Sequence, residues 1–402
     1  MTRVLRNLSL SLAVILALLS LNPRTVLAFC GFFVAKVDAK LFNNRSEVAI
    51  AHQNNNTTYN LAFDYKGDPK EFALVLPVPI VLKKPDVKVI DPKLFQRLDD
   101  FTAPRLVRYQ DFNQNLPSAA ARSEAEPKKD RAPVTVVERF TVGEYDVVIL
   151  SANESNALAS WLRQNNYRLP DNAARYLKPY IDQKLYFFVV RINVKEQEKL
   201  GFQNLRPIQF TVKNSKKVML PFQLGKINSE GTQDIIVYFL SDKGRAESSN
   251  YTNVMIPSNF AVPEEIESKF GEFYKGLLAN TIKSVGRETV VTEYAWDTGS
   301  CDPCSASPLT FQELKELGMN NERAFITRLH LQYTKDTYNR DLEFRVTADT
   351  RTYQGRYVLT PKSALSVNTE GNKAQIQAPY GKLLSTFRLE SLFKKYSNRQ
   401  GN

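Results

Sequence analysis

The chain has 402 residues, is 43% hydrophobic and 24% charged, and carries a formal charge of +12. This is globular composition with enough chain for one large core or two. Histidine is limited to His52 and His330, which weighs against chemistry that needs several imidazole bases or ligands, and the basic residues form only scattered pairs such as Lys83-Lys84, Lys128-Lys129 and Lys394-Lys395, so no nucleic-acid tract is present.

Residues 1–28 read as an export signal. Arg3 and Arg6 give a positive start, Leu8 to Leu21 form an uncharged apolar run, and Val26-Leu-Ala28 places cleavage between Ala28 and Phe29. Loss of Arg3, Arg6 and Arg24 would leave a charge of +9. An uncleaved anchor is the alternative, but the apolar run is shorter than the roughly 20 residues a spanning helix needs. A lipoprotein would use Cys30, yet Phe29 before it is large where lipidation wants a small residue. No membrane span is expected after signal removal.

The next residues read as β. Gly31–Val37, Ser46–His52, Thr57–Asp64 and Glu71–Pro79 are runs of strand formers separated by turn signals, as in an antiparallel meander. Pro77 and Pro79 place the end of the fourth strand at an edge or outside the sheet. Asp91-Pro92 opens a helix through Phe95 and Leu98. Residues 113–134 carry Pro117, Pro127, Pro133 and a mixed-charge run, and read as an exposed loop or linker.

Thr135–Val142 and Tyr145–Leu150 are expected strands. Glu154–Gln164 is a helix with Leu158, Trp161 and Leu162 inward, and a second helix from Asp171 to about Gln183 turns Ala174, Tyr176, Leu177 and Ile181 inward. Leu185–Val194 is apolar on both faces, which places it centrally in a sheet. Strands follow at Ile208–Val212, Val218–Phe222 and Asp234–Leu240, then a helical pattern over 263–283 and an alternating run Thr289–Trp296. Thr310-Phe-Gln-Glu313 matches a capping box for a helix ending at Gly318. Phe325–Tyr333 alternates and is expected to pair with Asp341–Thr347. The basic tail past Gly381 has the spacing of a short amphipathic helix.

The expected fold class is α+β, mainly antiparallel β-sheets with inserted helices, in two lobes. The divisions are 1–28 signal peptide, 29–112 β-rich N-terminal lobe, 113–134 loop or linker, 135–360 main α+β region, and 361–402 basic tail.

Several segments together resemble one family. They are Phe29-Cys-Gly-Phe-Phe-Val-Ala-Lys36 with Ala39-Lys-Leu-Phe42, Gly67–Pro79, Ala103-Pro-Arg-Leu-Val107, Phe140–Ser151, Ala295-Trp-Asp297 with Cys301-Asp-Pro-Cys304, and Tyr353-Gln-Gly-Arg-Tyr-Val-Leu359. The set is similar to the exported bacterial family catalogued as domain of unknown function 2330. The resemblance implies bacterial origin and export, with no established activity and no catalytic residues to carry over. It also implies further cysteines, one soon after Ala103–Val107, where Tyr109–Gln114 here holds none.

Cys301-Asp-Pro-Cys304 is the one place where reactive side chains stand at a spacing with known chemistry. A thiol–disulfide exchange site would put Cys301 at a helix N-terminus, where the dipole favours the thiolate. Here the next helix starts near Thr310, and Asp302 opposes a thiolate. A structural disulfide fits better in an oxidising compartment, either Cys301–Cys304 or Cys30 with one of the two, and the sequence leaves that pairing open. A zinc site would need one of the two histidines as its fourth ligand. A serine hydrolase would need His52 or His330 as base, and no Gly-x-Ser-x-Gly elbow is present. The aromatic strands could bind a sugar or lipid, but such faces more often form core.

The expected function is a non-enzymatic exported protein, structural or binding an envelope component or small ligand. The alternative is a thiol–disulfide oxidoreductase using Cys301 and Cys304. No cofactor and no metal are expected, and the sequence does not indicate an oligomeric state.

Overall fold

Strand formation follows the apolar runs, and the runs sort themselves into two stacked sheets. In a computed structural model the described residues are 32–36, 45–62, 72–108, 136–360 with short breaks between 152 and 230 and at 287, and 366–368 and 375–377. The predicted signal with Ala28 and Phe29, residue Cys30, the 113–134 segment and the basic tail past Gly381 lie outside them.

The early strands are β1 (Phe32–Lys36), β2 (Arg45–Gln53), β3 (Asn56–Ala62), β4 (Phe72–Val78), β5 (Val87–Val89) and β6 (Arg105–Val107), with helix α1 (Lys93–Thr102) before the last. The hairpin β7 (Val136–Val142) and β8 (Tyr145–Ser151) leads to α2 (Ser155–Gln164), β9 (Tyr167–Arg168), α3 (Ala173–Asp182) and β10 (Tyr186–Ile192). β11 (Ile208–Val212), β12 (Val218–Leu220), a 3-10 turn (Phe222–Asn228) and β13 (Gln233–Ser241) follow. β14 (Ala246–Ser248), β15 (Thr252–Met255), β16 (Phe260–Pro263) and α4 (Phe270–Val285) come next. The chain continues through β17 (Thr289–Asp297), α5 (Phe311–Leu317), β18 (Phe325–Tyr333), β19 (Leu342–Val346), β20 (Tyr353–Gln354) and β21 (Arg356–Thr360).

One sheet runs β7-β8-β10-β4-β1-β9, and the other runs β15-β17-β18-β13-β2-β3-β11-β5 with β20 against β17. Pairing is mostly antiparallel, with parallel contacts at β2–β13 and β15–β17. The fold is therefore α+β with mainly antiparallel sheets and inserted helices.

Four layers result. The facing sides of the two sheets share one core, with Leu74, Val147, Ile149 and Phe188 against Val48, Ile50, Val237 and Phe239. α2 and α3 cover the outer face of the first sheet through Leu158, Leu162, Leu177 and Tyr180. α1 and α5 cover the outer face of the second through Leu94, Leu98, Phe101, Leu314 and Leu317. Beside them α4 packs Phe273, Leu277 and Ile282 against Val291, Tyr357 and Leu359. Both sheets draw strands from both sides of 113–134.

Three expectations change in detail. The first four strands are not a meander: β2 and β3 form a tight hairpin in the second sheet, while β1 and β4 pair in the first. Asn54 and Asn55 both take positive φ, 51° and 59°, which suits a two-residue hairpin turn and closes β2 on β3 before the chain crosses over. β19 pairs with β12 and β14 rather than with β18, because both edges of β18 are already filled by β13 and β17. On α3 Leu177 and Ile181 are buried as expected and Ala173 and Tyr180 join them, while Tyr176 is only half-buried.

Others hold. β10 lies between β8 and β4, as its two-faced apolarity requires. Pro77 lies inside β4, opposite Phe187 of β10, and β4 ends at Val78, before Pro79. The capping box forms: Thr310 Oγ1 accepts from the Glu313 N–H, and Glu313 accepts from the Thr310 N–H at 2.7 Å. Gly318 ends α5 at φ 103°, and a Cβ there would lie 2.6 Å from the Thr58 side chain, so the position needs glycine on both counts.

Candidate functional site

The richest chemistry lies on the helix-covered face of β17 and β18. Regular alternation would send Glu293 and Tyr294 to opposite faces. The ladder between β17 and β18 shifts register between Thr292 and Tyr294, leaving Glu293 as the extra residue of a bulge. Tyr294 packs on Phe101 of α1, while Glu293 accepts from Tyr274 of α4, so both serve the outer face. The Glu293 carbonyl takes the Gly355 N–H at 2.8 Å, and a Cβ on Gly355 would stand 3.1 Å from that oxygen.

Glu293 is fully buried and is the hub of an ionic chain. Arg328 Nε donates to its Oε2 at 2.6 Å, and His330 Nδ1 is 2.6 Å from its Oε1. The outer nitrogen of His330 reaches Asp234 at 2.8 Å, and Arg328 Nη1 reaches Asp99 of α1 at 2.6 Å. Tyr238, whose ring lies under the Arg328 guanidinium, places its hydroxyl 2.9 Å from Glu47. The chain thus runs from partly exposed Asp234 to partly exposed Asp99 through a buried centre.

Burial alone would raise the Glu293 pKa. The adjacent imidazolium and guanidinium outweigh it and hold the carboxyl at about 2. Burial would likewise lower His330, but its two carboxylates raise it to about 9. His330 is therefore an imidazolium at neutral pH, with both nitrogens engaged. A general base needs a free, neutral nitrogen, and here each ring nitrogen faces a carboxylate. His52, the other histidine, is half-buried on the β2–β3 hairpin, 2.9 Å from its cross-strand partner Thr57, and burial lowers its pKa.

Cys301 and Cys304 form a disulfide. Cys301 is half-buried against the core under α1 and α5, and Cys304 is exposed. The Asp302–Pro303 peptide is cis. Neighbouring elements hold the loop by its backbone. Gln354 Nε2 donates to the Pro303 carbonyl at 3.2 Å, and Arg356 Nη1 to the Asp302 carbonyl at 2.8 Å. The Ser305 hydroxyl donates to the Asp100 carbonyl, and Arg97 to the Ser307 carbonyl at 3.1 Å. α5, the next helix after Cys304, starts only at Phe311. Because the two sulfurs are bonded to each other, they are not zinc ligands here, and the described residues hold no group of three or more metal-ligating side chains. No helix among the described residues is long and apolar enough to cross a membrane.

Segments far apart in sequence converge at this place. The Arg105 N–H donates to the Gly355 carbonyl at 2.9 Å, and β6 runs parallel to β21. Gln354 pairs with Tyr294, and the Arg105 guanidinium sits 5.9 Å from the Tyr294 ring. Four buried atoms here lack a hydrogen-bond partner among the described residues: Arg105 Nη1, Tyr294 Oη, Gln354 Oε1 and Tyr357 Oη.

That contrast gives a prediction of opposite signs. Tyr294→Phe removes a buried hydroxyl without a partner and is expected to raise stability by about 1 kcal/mol. Tyr274→Phe removes a donor to the ionised Glu293 and is expected to cost about 2 kcal/mol. Urea unfolding of the two variants checks both; equal signs would show that the two hydroxyls are not so differently placed.

Fold and site define an αββα sandwich with a locked ionic core and a disulfide-closed loop beside it. The chain belongs to the family DUF2330, described as an uncharacterized protein conserved in bacteria, whose model matches residues 24–345. No curated protein and no solved structure matches the chain.

Proposed function

We propose that the protein is an exported, non-catalytic component of the bacterial cell envelope, structural or binding an envelope partner or small ligand. The observation that carries this reading is the placement of the Cys301–Cys304 disulfide. It closes a loop pinned by Gln354, Arg356, Ser305 and Arg97, and the next helix after Cys304 starts only at Phe311. Such a disulfide persists in an oxidising compartment, which agrees with the signal-like residues 1–28. The double engagement of His330 supports the non-catalytic part. The oxidoreductase alternative gains nothing from this placement.

Intact-mass analysis of the protein recovered from a bacterial host, with free thiols alkylated at lysis, tests the reading. The expected species begins at Phe29 and resists alkylation at Cys301 and Cys304. A full-length cytoplasmic species with both thiols labelled would overturn it.

A further inference from the structure

Arg105 is a buried cation whose partners are neutral. Its Nη2 donates to the Phe101 carbonyl at 2.7 Å and its Nε to the Ala103 carbonyl at 3.2 Å, so the end of α1 fixes the plane of the guanidinium. Among the described residues no carboxylate pairs with it, and Nη1 is buried without a partner. Burial lowers the Arg105 pKa, yet a guanidinium keeps its charge at neutral pH. A buried cation ordinarily answers an anion.

Two further atoms of this kind belong to neighbouring side chains. Tyr294 lies opposite Gln354 in the β17–β20 ladder, so the two side chains leave the same face of the sheet. The Arg105 guanidinium is 5.9 Å from the Tyr294 ring. Tyr294 Oη and Gln354 Oε1 are both buried without a partner among the described residues, and none of the three side chains is more than 9% exposed. Burial pushes the Tyr294 phenol up, which keeps it a neutral hydroxyl. The fourth such atom, Tyr357 Oη, belongs to the aromatic cluster under α4 and is not part of this group. The loop closed by Cys301 and Cys304 lies against these residues. Gln354 Nε2 donates to its Pro303 carbonyl, Cys301 packs in the same core as Tyr294, and Trp296 stacks on Tyr294 while donating to Ser300 Oγ at 3.2 Å.

The three atoms differ in kind. Arg105 Nη1 is a charged donor, Gln354 Oε1 only accepts, and the Tyr294 hydroxyl does either. Packing gains nothing from leaving them unpaired, and each unmade bond costs stability. Their joint complement is a small monoanion with an O–H of its own. Its oxyanion answers Arg105 and Tyr294, and its O–H donates to Gln354.

We infer that Arg105, Tyr294 and Gln354 form a binding site for a small 2-hydroxy carboxylate beside the disulfide-closed loop. The inference rests on the small-ligand branch of the proposed function and gives that ligand a chemical class. The two fail separately: a titration of the purified protein can come out blank while the mature chain still begins at Phe29 with its disulfide closed.

Isothermal titration of the purified, disulfide-closed protein with sodium glycolate and with sodium acetate, at one ionic strength, tests the site. Glycolate is expected to bind saturably, one per chain. Acetate lacks the O–H for Gln354 and is expected to bind about 10-fold more weakly. Arg105→Gln should lose glycolate binding. Because Arg105 also holds the end of α1, Tyr294→Phe is the decisive variant. It is expected to be more stable than wild type without added anion, yet to bind glycolate about 10-fold more weakly. A hydroxyl with a merely structural role would move the stability alone. A wild type that does not bind glycolate leaves the three atoms to buried water and overturns the site. Acetate bound as tightly as glycolate, or a Tyr294→Phe protein that binds glycolate like the wild type, overturns it too.

Discussion

Arg328→Ala is expected to lower the unfolding free energy by about 3–5 kcal/mol, a large share of the 5–15 kcal/mol typical of a folded domain. Arg328 is buried and answers two carboxylates at once, Glu293 through Nε and Asp99 through Nη1, each at 2.6 Å. Truncation leaves Glu293 fully buried with one cation fewer. Arg328→Lys should lose an intermediate amount, because one ammonium cannot reproduce the fork that spans Glu293 and Asp99. Urea unfolding orders the series as wild type, Lys, Ala; an alanine variant within 1 kcal/mol of wild type would show that the buried pair contributes little.

The second large effect is the pH dependence of the same hub. His330 has a folded pKa of about 9 against an ordinary 6.5. A raised pKa means its contribution is fully present below 6.5 and is lost as pH rises through 9. Glu293 has a folded pKa of about 2 against 4.5, so its contribution is present above 4.5 and lost as pH falls through 2. Each shift corresponds to about 3 kcal/mol. The two describe one contact seen from each partner and are not to be added. The free-energy gap between wild type and His330→Gln should therefore be widest between about pH 4.5 and 6.5 and narrow toward pH 10. A gap that widens with rising pH would mean that His330 is neutral in the fold.

Much of the architecture is legible from local pattern. The capping box at Thr310, the two-faced run that became β10 and the strand histidines all depend on neighbours within a few positions. Pairing partners depend on which edges are free, and no residue of β19 announces that β18 is already flanked on both sides. The bulge is a similar case. Glu293 stands out as a charge within the apolar run Thr289–Trp296, and that was the available signal for a buried counter-charge. Its partners, Arg328 and His330, come from another strand, and their own outer partners, Asp234 and Asp99, come from elements much earlier in the chain. A one-residue register shift is needed before Glu293 and Tyr294 face the same way. The cysteines show the complementary case. Their spacing was plain and their role was not, because it depends on Gln354 and Arg356 gripping the loop backbone from β20 and β21.

A redox titration of the Cys301–Cys304 disulfide against dithiol buffers, read by alkylation and mass shift, tests the non-catalytic reading most directly. A structural disulfide is expected to resist reduction down to about −300 mV or below, with slow exchange. A potential between roughly −270 and −120 mV with rapid exchange, the range of thiol–disulfide enzymes, would contradict it.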